Sequence, residues 1–197
     1  MTLRRALGWV LLFVAGTSGA QPAGNDGKEK EALARLIREM PWEEHLPDAA
    51  MIDYFTARKK QFEALREMFM HDRGVRFLGR DRTDPADLKA LGIGEKRLAQ
   101  YRRLLVELKI KSLDGRADRT DGMDFAMTSR GLGISGSSKG YAWLPSAPTL
   151  MAEDLDQYVA RSIAQRDNAR SKSEQMAASA FTAYRALEGH WYLFFSK

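Results

Sequence analysis

A chain of 197 residues, 44% hydrophobic and without cysteine, is the size of one domain and large enough to bury its own core, and it excludes disulfide staples and thiolate metal sites. Its 31 Lys and Arg against 26 Asp and Glu make it mildly basic. The charges are interspersed and form no polybasic tail, which leaves acidic proteins, glycans and anionic headgroups as the reasonable partners.

Residues 1–20 read as a secretory signal. Arg4 and Arg5 precede an apolar run over 6–16, and Ser18, Gly19 and Ala20 supply the small residues of a cleavage site, so cleavage is expected after Ala20. The apolar run has only 11 residues, too short to cross a hydrocarbon core of roughly 30 Å. Export to a periplasm is the simplest expectation. It makes nucleic acid an unexpected partner, and no transmembrane segment is expected in the mature chain. Without Arg4 and Arg5 the mature chain carries 29 basic and 26 acidic side chains. Residues 21–27, small and polar, read as a disordered terminus, and 28–197 as a single domain.

Leu33, Leu36, Ile37 and Met40 predict a first helix over 28–40, stopped by Pro41. Asp48 is expected to cap a longer helix to about His71, with the stripe Met51, Ile52, Phe55, Phe62, Leu65, Phe69 facing a sheet. A short strand is expected over 74–78. Thr83-Asp84-Pro85 reads as the start of a short helix ending near Leu91, and 95–108 as an amphipathic helix striped by Leu98, Tyr101, Leu104, Leu105 and Leu108. Strands follow over 110–113, 123–129 and 139–144. The last two form a hairpin around the glycine-rich 131–136, with Tyr141 and Trp143 on one face. Residues 154–165 read as another helix, and 167–175 as its solvated end or a mobile segment. The chain closes on a hairpin, 181–187 and 190–195, turned at Glu188-Gly189. Trp191, Leu193 and Phe195 fall on one face, and His190, Tyr192 and Phe194 on the other, so the hairpin needs cover on both sides. Helices and strands without βαβ alternation predict an α+β fold, an antiparallel sheet of four to five strands packed against several amphipathic helices.

The strings GISGSSKGYAW, LDQY and YRALEGHWYLFF resemble a family of small exported proteobacterial proteins of unknown function. That family shares a GSxKGYAY strand, an LD segment and a terminal YRxIEGxWYLYY hairpin. The matching positions are Gly136, Ser137, Lys139 to Trp143, Leu155, Asp156, Tyr184, Arg185, Glu188, Gly189 and Trp191 to Phe195, and this chain is longer than the pattern between Asp156 and Tyr184. The resemblance implies fold and export and no reaction.

Two motifs fail on context. The G-x-G-x-x-G of residues 131–136 is followed by a strand where a dinucleotide site needs a helix. Ser138 within G-x-S-x-G, with Asp154 or Asp156 and His190 in hydrolase order, lacks the strand-to-helix elbow. Asp114, Asp118, Asp121 and Asp124 miss calcium-loop spacing, and His45, His71 and His190 fit no zinc template, so neither metal nor cofactor is expected. What remains is a binding surface: Ser137 and Lys139 as an anion-binding nest beside the glycines, Tyr141 and Trp143 as aromatic contacts, and Arg102 and Arg103 as a basic face for an acidic partner. The expected function is a non-catalytic periplasmic module that binds a protein or an envelope component. The alternatives are an envelope hydrolase using Ser138 or an Asp/His pair, and an immunity-type inhibitor of a periplasmic toxin.

Overall fold

The computed structural model describes residues 44–115, 122–131, 136–168 and 181–197. The expected export signal, the 21–27 terminus, the first helix, most of the glycine-rich loop and most of the 167–175 segment lie outside these residues. The fold is α+β. Its elements in order are α1 (Asp48–His71), β1 (Phe77–Gly79), β2 (Thr83–Asp84), a single 3₁₀ turn (Lys89–Leu91), α2 (Glu95–Glu107), β3 (Ser112–Gly115), β4 (Met123–Arg130), β5 (Ser137–Trp143), α3 (Leu155–Asp167), β6 (Thr182–Ala186) and β7 (Trp191–Ser196). The strands make one antiparallel sheet of seven, in the order β2-β1-β3-β4-β5-β7-β6. It exceeds the expected four to five because two strands of only three and two residues extend one edge.

Strand alternation sets which side chains meet. On β5, Ser137, Lys139, Tyr141 and Trp143 share a face, and Phe125 of β4 and Leu193 of β7 stand opposite Tyr141 on that same face. α1 lies across it. Met51, Phe55, Phe62, Leu65 and Phe69, all buried, are its apolar stripe. Phe62 meets the Tyr141 ring at 4.7 Å between centroids, and Trp191 packs 5.2 Å from Phe55 and 5.1 Å from Phe125. Such aromatic contacts add to the transfer free energy of the buried area, which is the main stabilising term here. The indole N–H of Trp191 donates to Glu63 at 2.7 Å, so this ring enters the core without an orphaned donor. On the opposite face Ala142, Leu144, Tyr184, Tyr192 and Phe194 form a second buried cluster. The terminal hairpin, turned at Gly189 with φ 61°, is therefore buried on both sides, as its two apolar faces require.

Two local expectations are corrected. Thr83-Asp84-Pro85 does not start a helix. The Arg76 guanidinium grips the Asp84 carboxylate at 2.7 and 2.9 Å, and the Arg76 and Gly79 N–H groups donate to the carbonyls of Asp84 and Arg82, folding 76–84 into a hairpin. These pairings override the Pro signal and leave only the 3₁₀ turn. Secondly, Asp48 does not cap its own helix. Pro47 occupies the cap position, and Asp48 is the first helical residue.

The β4–β5 ladder carries a bulge. Ala126 opposes Gly140, but Thr128, not Met127, opposes Lys139. At Gly140 the strands approach so closely that a Cβ would run into the Phe125 carbonyl oxygen. Gly140→Ala is expected to destabilise by about 1–3 kcal/mol or more, as overpacking against rigid backbone does. A urea midpoint unchanged by that substitution would show that the two strands are not in this contact.

Candidate functional site

At one end of the sheet, β5 reads the chain that leads into α1 through three side chains on one face. Ser137 meets His45, with Oγ 2.8 Å from Nε2. Lys139 reaches the Leu46 carbonyl at 2.8 Å and Asp48 Oδ1 at 2.8 Å. Tyr141 donates its hydroxyl to the Met51 carbonyl at 2.8 Å.

Lys139 is 1% exposed. Its ammonium donates to the Leu46 carbonyl and to Asp156 Oδ1, the latter at 2.5 Å, and forms an ion pair with Asp48 Oδ1. The two carboxylates exchange helix caps. Asp48 N–H, at the start of α1, donates to Asp156 Oδ2 at 2.8 Å, and Leu155 N–H, at the start of α3, donates to Asp48 Oδ2 at 2.8 Å. Each thus satisfies an orphan N–H of the other's helix and meets the positive end of its dipole. Asp154 caps α3 in the ordinary way, accepting from Gln157 N–H at 2.8 Å. Arg185 of β6 closes the group on Asp48 Oδ2 at 2.9 Å, so two cations balance two anions. Burial raises the Asp48 pKa, but the hydrogen bonds from Lys139, Arg185 and Leu155 N–H outweigh it and hold the carboxyl below its ordinary value.

Oxygens of Asp48, Asp154 and Asp156 also come within 4.8 Å of one another. The Lys139 ammonium already stands between Asp48 and Asp156, and Arg185 on Asp48, so the negative charge a metal would neutralise is already neutralised by protein.

Beside this junction lies a concave basin of about 370 Å³ lined by Ser129, Arg130, Gly131, Gly136, Ser137, Ser138, Ser196 and Lys197. Arg130, Lys197 and four serines are among its lining residues, which include no Asp or Glu among the described residues. His45 stands one hydrogen bond behind its wall. Nε2 faces Ser137, Nδ1 lies 2.7 Å from Thr128 Oγ1, and the ring packs edge-on to Phe195 at 5.3 Å. Burial, then the cations Lys139, Arg130 and Lys111, lower its pKa from the ordinary 6.5 against an opposing pull from Asp156.

The residues singled out by the sequence are thus divided. Ser137 lines the basin. Lys139 and Tyr141 are buried and committed to protein partners, so neither presents its side chain to a ligand. Trp143 is half-buried with the Arg66 guanidinium 5.0 Å over its ring. Tyr192 and Phe194 are buried too, so Tyr141 joins the core where an aromatic contact was expected. Arg102 and Arg103 are exposed on α2, but they do not make a face of one sign. Arg103 lies 3.7 Å from Glu107, and Arg102 lines a hollow of about 620 Å³ that also holds Asp81, Asp87 and Glu95. Ser138 and His190 are not neighbours. Ser138 donates to the Thr128 carbonyl at 3.4 Å, while the His190 ring lies beside Trp143 at 5.8 Å, five residues or about 17 Å further along β5. The sequence reading passed over His45, Asp48 as a charge partner, Arg130 and Arg185. Their signal was indirect: Lys139, Leu155, Asp156 and Arg185, four of the residues on which the resemblance rests, meet in the charged junction.

Comparisons with family models, with curated proteins and with solved structures gave no match.

Two outcomes follow from the charges. Lys139→Met is expected to cost about 3–5 kcal/mol, because two carboxylates lose a buried counter-ion. Adding Asp48→Asn should recover part of that loss in the same urea titration, and a neutral single substitution would show the ammonium to be dispensable. Acid should destabilise in two stages. Below 6.5 the unfolded chain protonates position 45 while the folded imidazole resists, so folding loses stability as pH falls. Below 3.8 the same holds for Asp48 and Asp72, whose folded carboxyls keep their charge to lower pH than the unfolded ones. Thermal melts of wild type and His45→Gln across this range check it, since the variant should lose only the upper stage.

Proposed function

We propose that the protein is a non-catalytic periplasmic module, and that its basin holds the phosphate or other anionic group of an envelope component. The observation that carries this reading is the composition of the basin wall: Arg130, Lys197 and four serines around a concavity. Arg130 is exposed at the strand end and has no carboxylate partner among the described residues. A guanidinium offers a planar fork of donors suited to phosphate oxygens, and hydroxyls adapt their hydrogens to whatever acceptor arrives. The volume suits a headgroup rather than a folded domain, which favours an envelope component over a protein surface at this site.

Hydrolysis is the second reading, and one contact favours it: Ser137 Oγ lies 2.8 Å from an imidazole nitrogen. A nucleophile needs its base oriented and its imidazolium stabilised by a third group, usually a carboxylate. Here the other ring nitrogen meets the Thr128 hydroxyl. Binding therefore stands first. Covalent labelling of Ser137 by a fluorophosphonate would reverse that order.

The test uses inorganic phosphate and phosphatidylglycerol vesicles as separate probes. Wild type should bind at least one of them, and Arg130→Glu should weaken that binding by about tenfold or more, the worth of one charge-assisted hydrogen bond with added repulsion. Binding to vesicles without binding to free phosphate assigns a lipid headgroup, and the converse assigns a soluble phosphate compound. Equal binding by wild type and variant removes the basin from consideration.

A further inference from the structure

The basin wall and the charged junction are joined by a residue able to change its charge near neutrality. His45 touches two hydroxyls, Thr128 at 2.7 Å and Ser137 at 2.8 Å. A neutral imidazole has one donor and one acceptor nitrogen, so one of these hydroxyls must spend its hydrogen on the ring. A cationic imidazole donates from both nitrogens, and then neither hydroxyl needs to. Hydroxyls donate or accept equally well, so the ring can gain a proton without losing a hydrogen bond. Thr128 is buried, but Ser137 lines the basin. In the tautomer whose Nε2 accepts from Ser137, protonation behind the wall frees the Ser137 O–H to turn toward the basin as a donor.

Burial of the ring, and after it the charges around the ring, govern when this happens. Facing it are Arg130 on β4, Lys139 on β5, Lys111 just before β3 and Asp156 on α3, with the apolar Phe195 on β7 and, among the described residues, no carboxylate in hydrogen-bond contact. Burial first, then the cations, disfavour the charged ring while the basin is empty, against an opposing pull from Asp156. An anion arriving beside Arg130 and Ser137 offsets part of that repulsion and shifts the balance toward the charged ring.

We infer that His45 is a proton-linked member of the anion site: a bound anion draws a proton onto the imidazole, the imidazolium hands the Ser137 hydroxyl to the anion as a donor, and affinity rises as pH falls. The inference rests on the basin being the binding site. It adds that the preferred ligand is an anion with acceptor oxygens, held more tightly in an acidified compartment, and that the coupling is reciprocal, ligand raising proton affinity by the factor that the proton raises ligand affinity.

Sulfate is the probe of choice because, unlike phosphate, it keeps its charge between about pH 5 and pH 8, the window in which an imidazole titrates. Sulfate is titrated into the full chain at fixed ionic strength across that window, by calorimetry in two buffers of different ionisation heat. Wild type should bind more tightly as pH falls, by at most about tenfold per pH unit as one linked proton allows, with uptake of up to one proton per sulfate. His45→Gln keeps side-chain hydrogen-bonding groups at that position and cannot titrate, so its dissociation constant should be flat and its proton uptake nil. The wild-type buffer comparison decides the matter even if that variant folds poorly. Sulfate binding with a pH-independent constant in wild type, or proton uptake that persists in His45→Gln, overturns the linkage and leaves the basin standing. Failure of wild type to bind sulfate at every pH removes the basin and the linkage together.

Discussion

One ammonium ion organises this fold. Two helices begin at the same place on the sheet, and each helix start brings backbone N–H groups that helical bonding leaves unpaired. Asp48 and Asp156 answer that demand by crossing over, each accepting from the first turn of the other's helix. Two carboxylates brought so close repel one another, and the geometry stands only because Lys139, rising from the middle of the sheet, places a positive charge between them. Removing an ion from water is costly, and the cost is offset only where every donor finds an acceptor and the charges sum to zero. The charges sum to zero here, with Arg185 as the fourth, and the ammonium also donates to the Leu46 carbonyl and Asp156.

This arrangement divides the sheet face into two regimes. Toward Trp143 and Trp191 the contacts are mainly aromatic, with Phe55, Phe62 and Phe125 around Trp191. Toward Ser137 they are polar, and three successive side chains of β5 hold residues 45–51 by directed bonds. Apolar packing tolerates small shifts at modest cost, whereas hydrogen bonds to a buried ion do not. The polar end thus fixes where α1 begins, and the aromatic end fixes how it lies. The positive potential left at the basin follows from this division. Lys139 spends its charge on the junction, while Arg130, one strand over, has no such partner among the described residues.

The sheet and its helices were legible because their signals are local and repeated. The α1 stripe, the alternation of Met123 and Phe125, and the two apolar faces of the last hairpin each follow from residue spacing. Residues 83–85 misled because Pro after Asp is also what a turn requires, and the Arg76 pairing that decides the matter comes from eight residues away. The junction was harder to read. Asp48 and Asp156 are separated by 107 intervening residues, and each has an obvious local role as a helix-start acid that conceals the distant one. Lys139 beside glycines and serines looks like a ligand contact until its neighbours on other elements are known. His45 carries no motif, and its importance lies wholly in what the sheet brings to its two nitrogens.

The bulge in β4 shows how such a site depends on counting. An uninterrupted ladder from the pair Ala126 and Gly140 would set Met127 opposite Lys139, and a thioether would then face the imidazole. The surplus residue moves Thr128 there instead, and with it an oxygen that serves as donor or acceptor. The chemistry beside His45 is therefore written in the length of a strand. A deletion of a single residue upstream of Thr128 would leave every functional side chain in the gene and still dismantle the site, and a homologue would have to be aligned through that extra residue before its hydroxyl could be recognised.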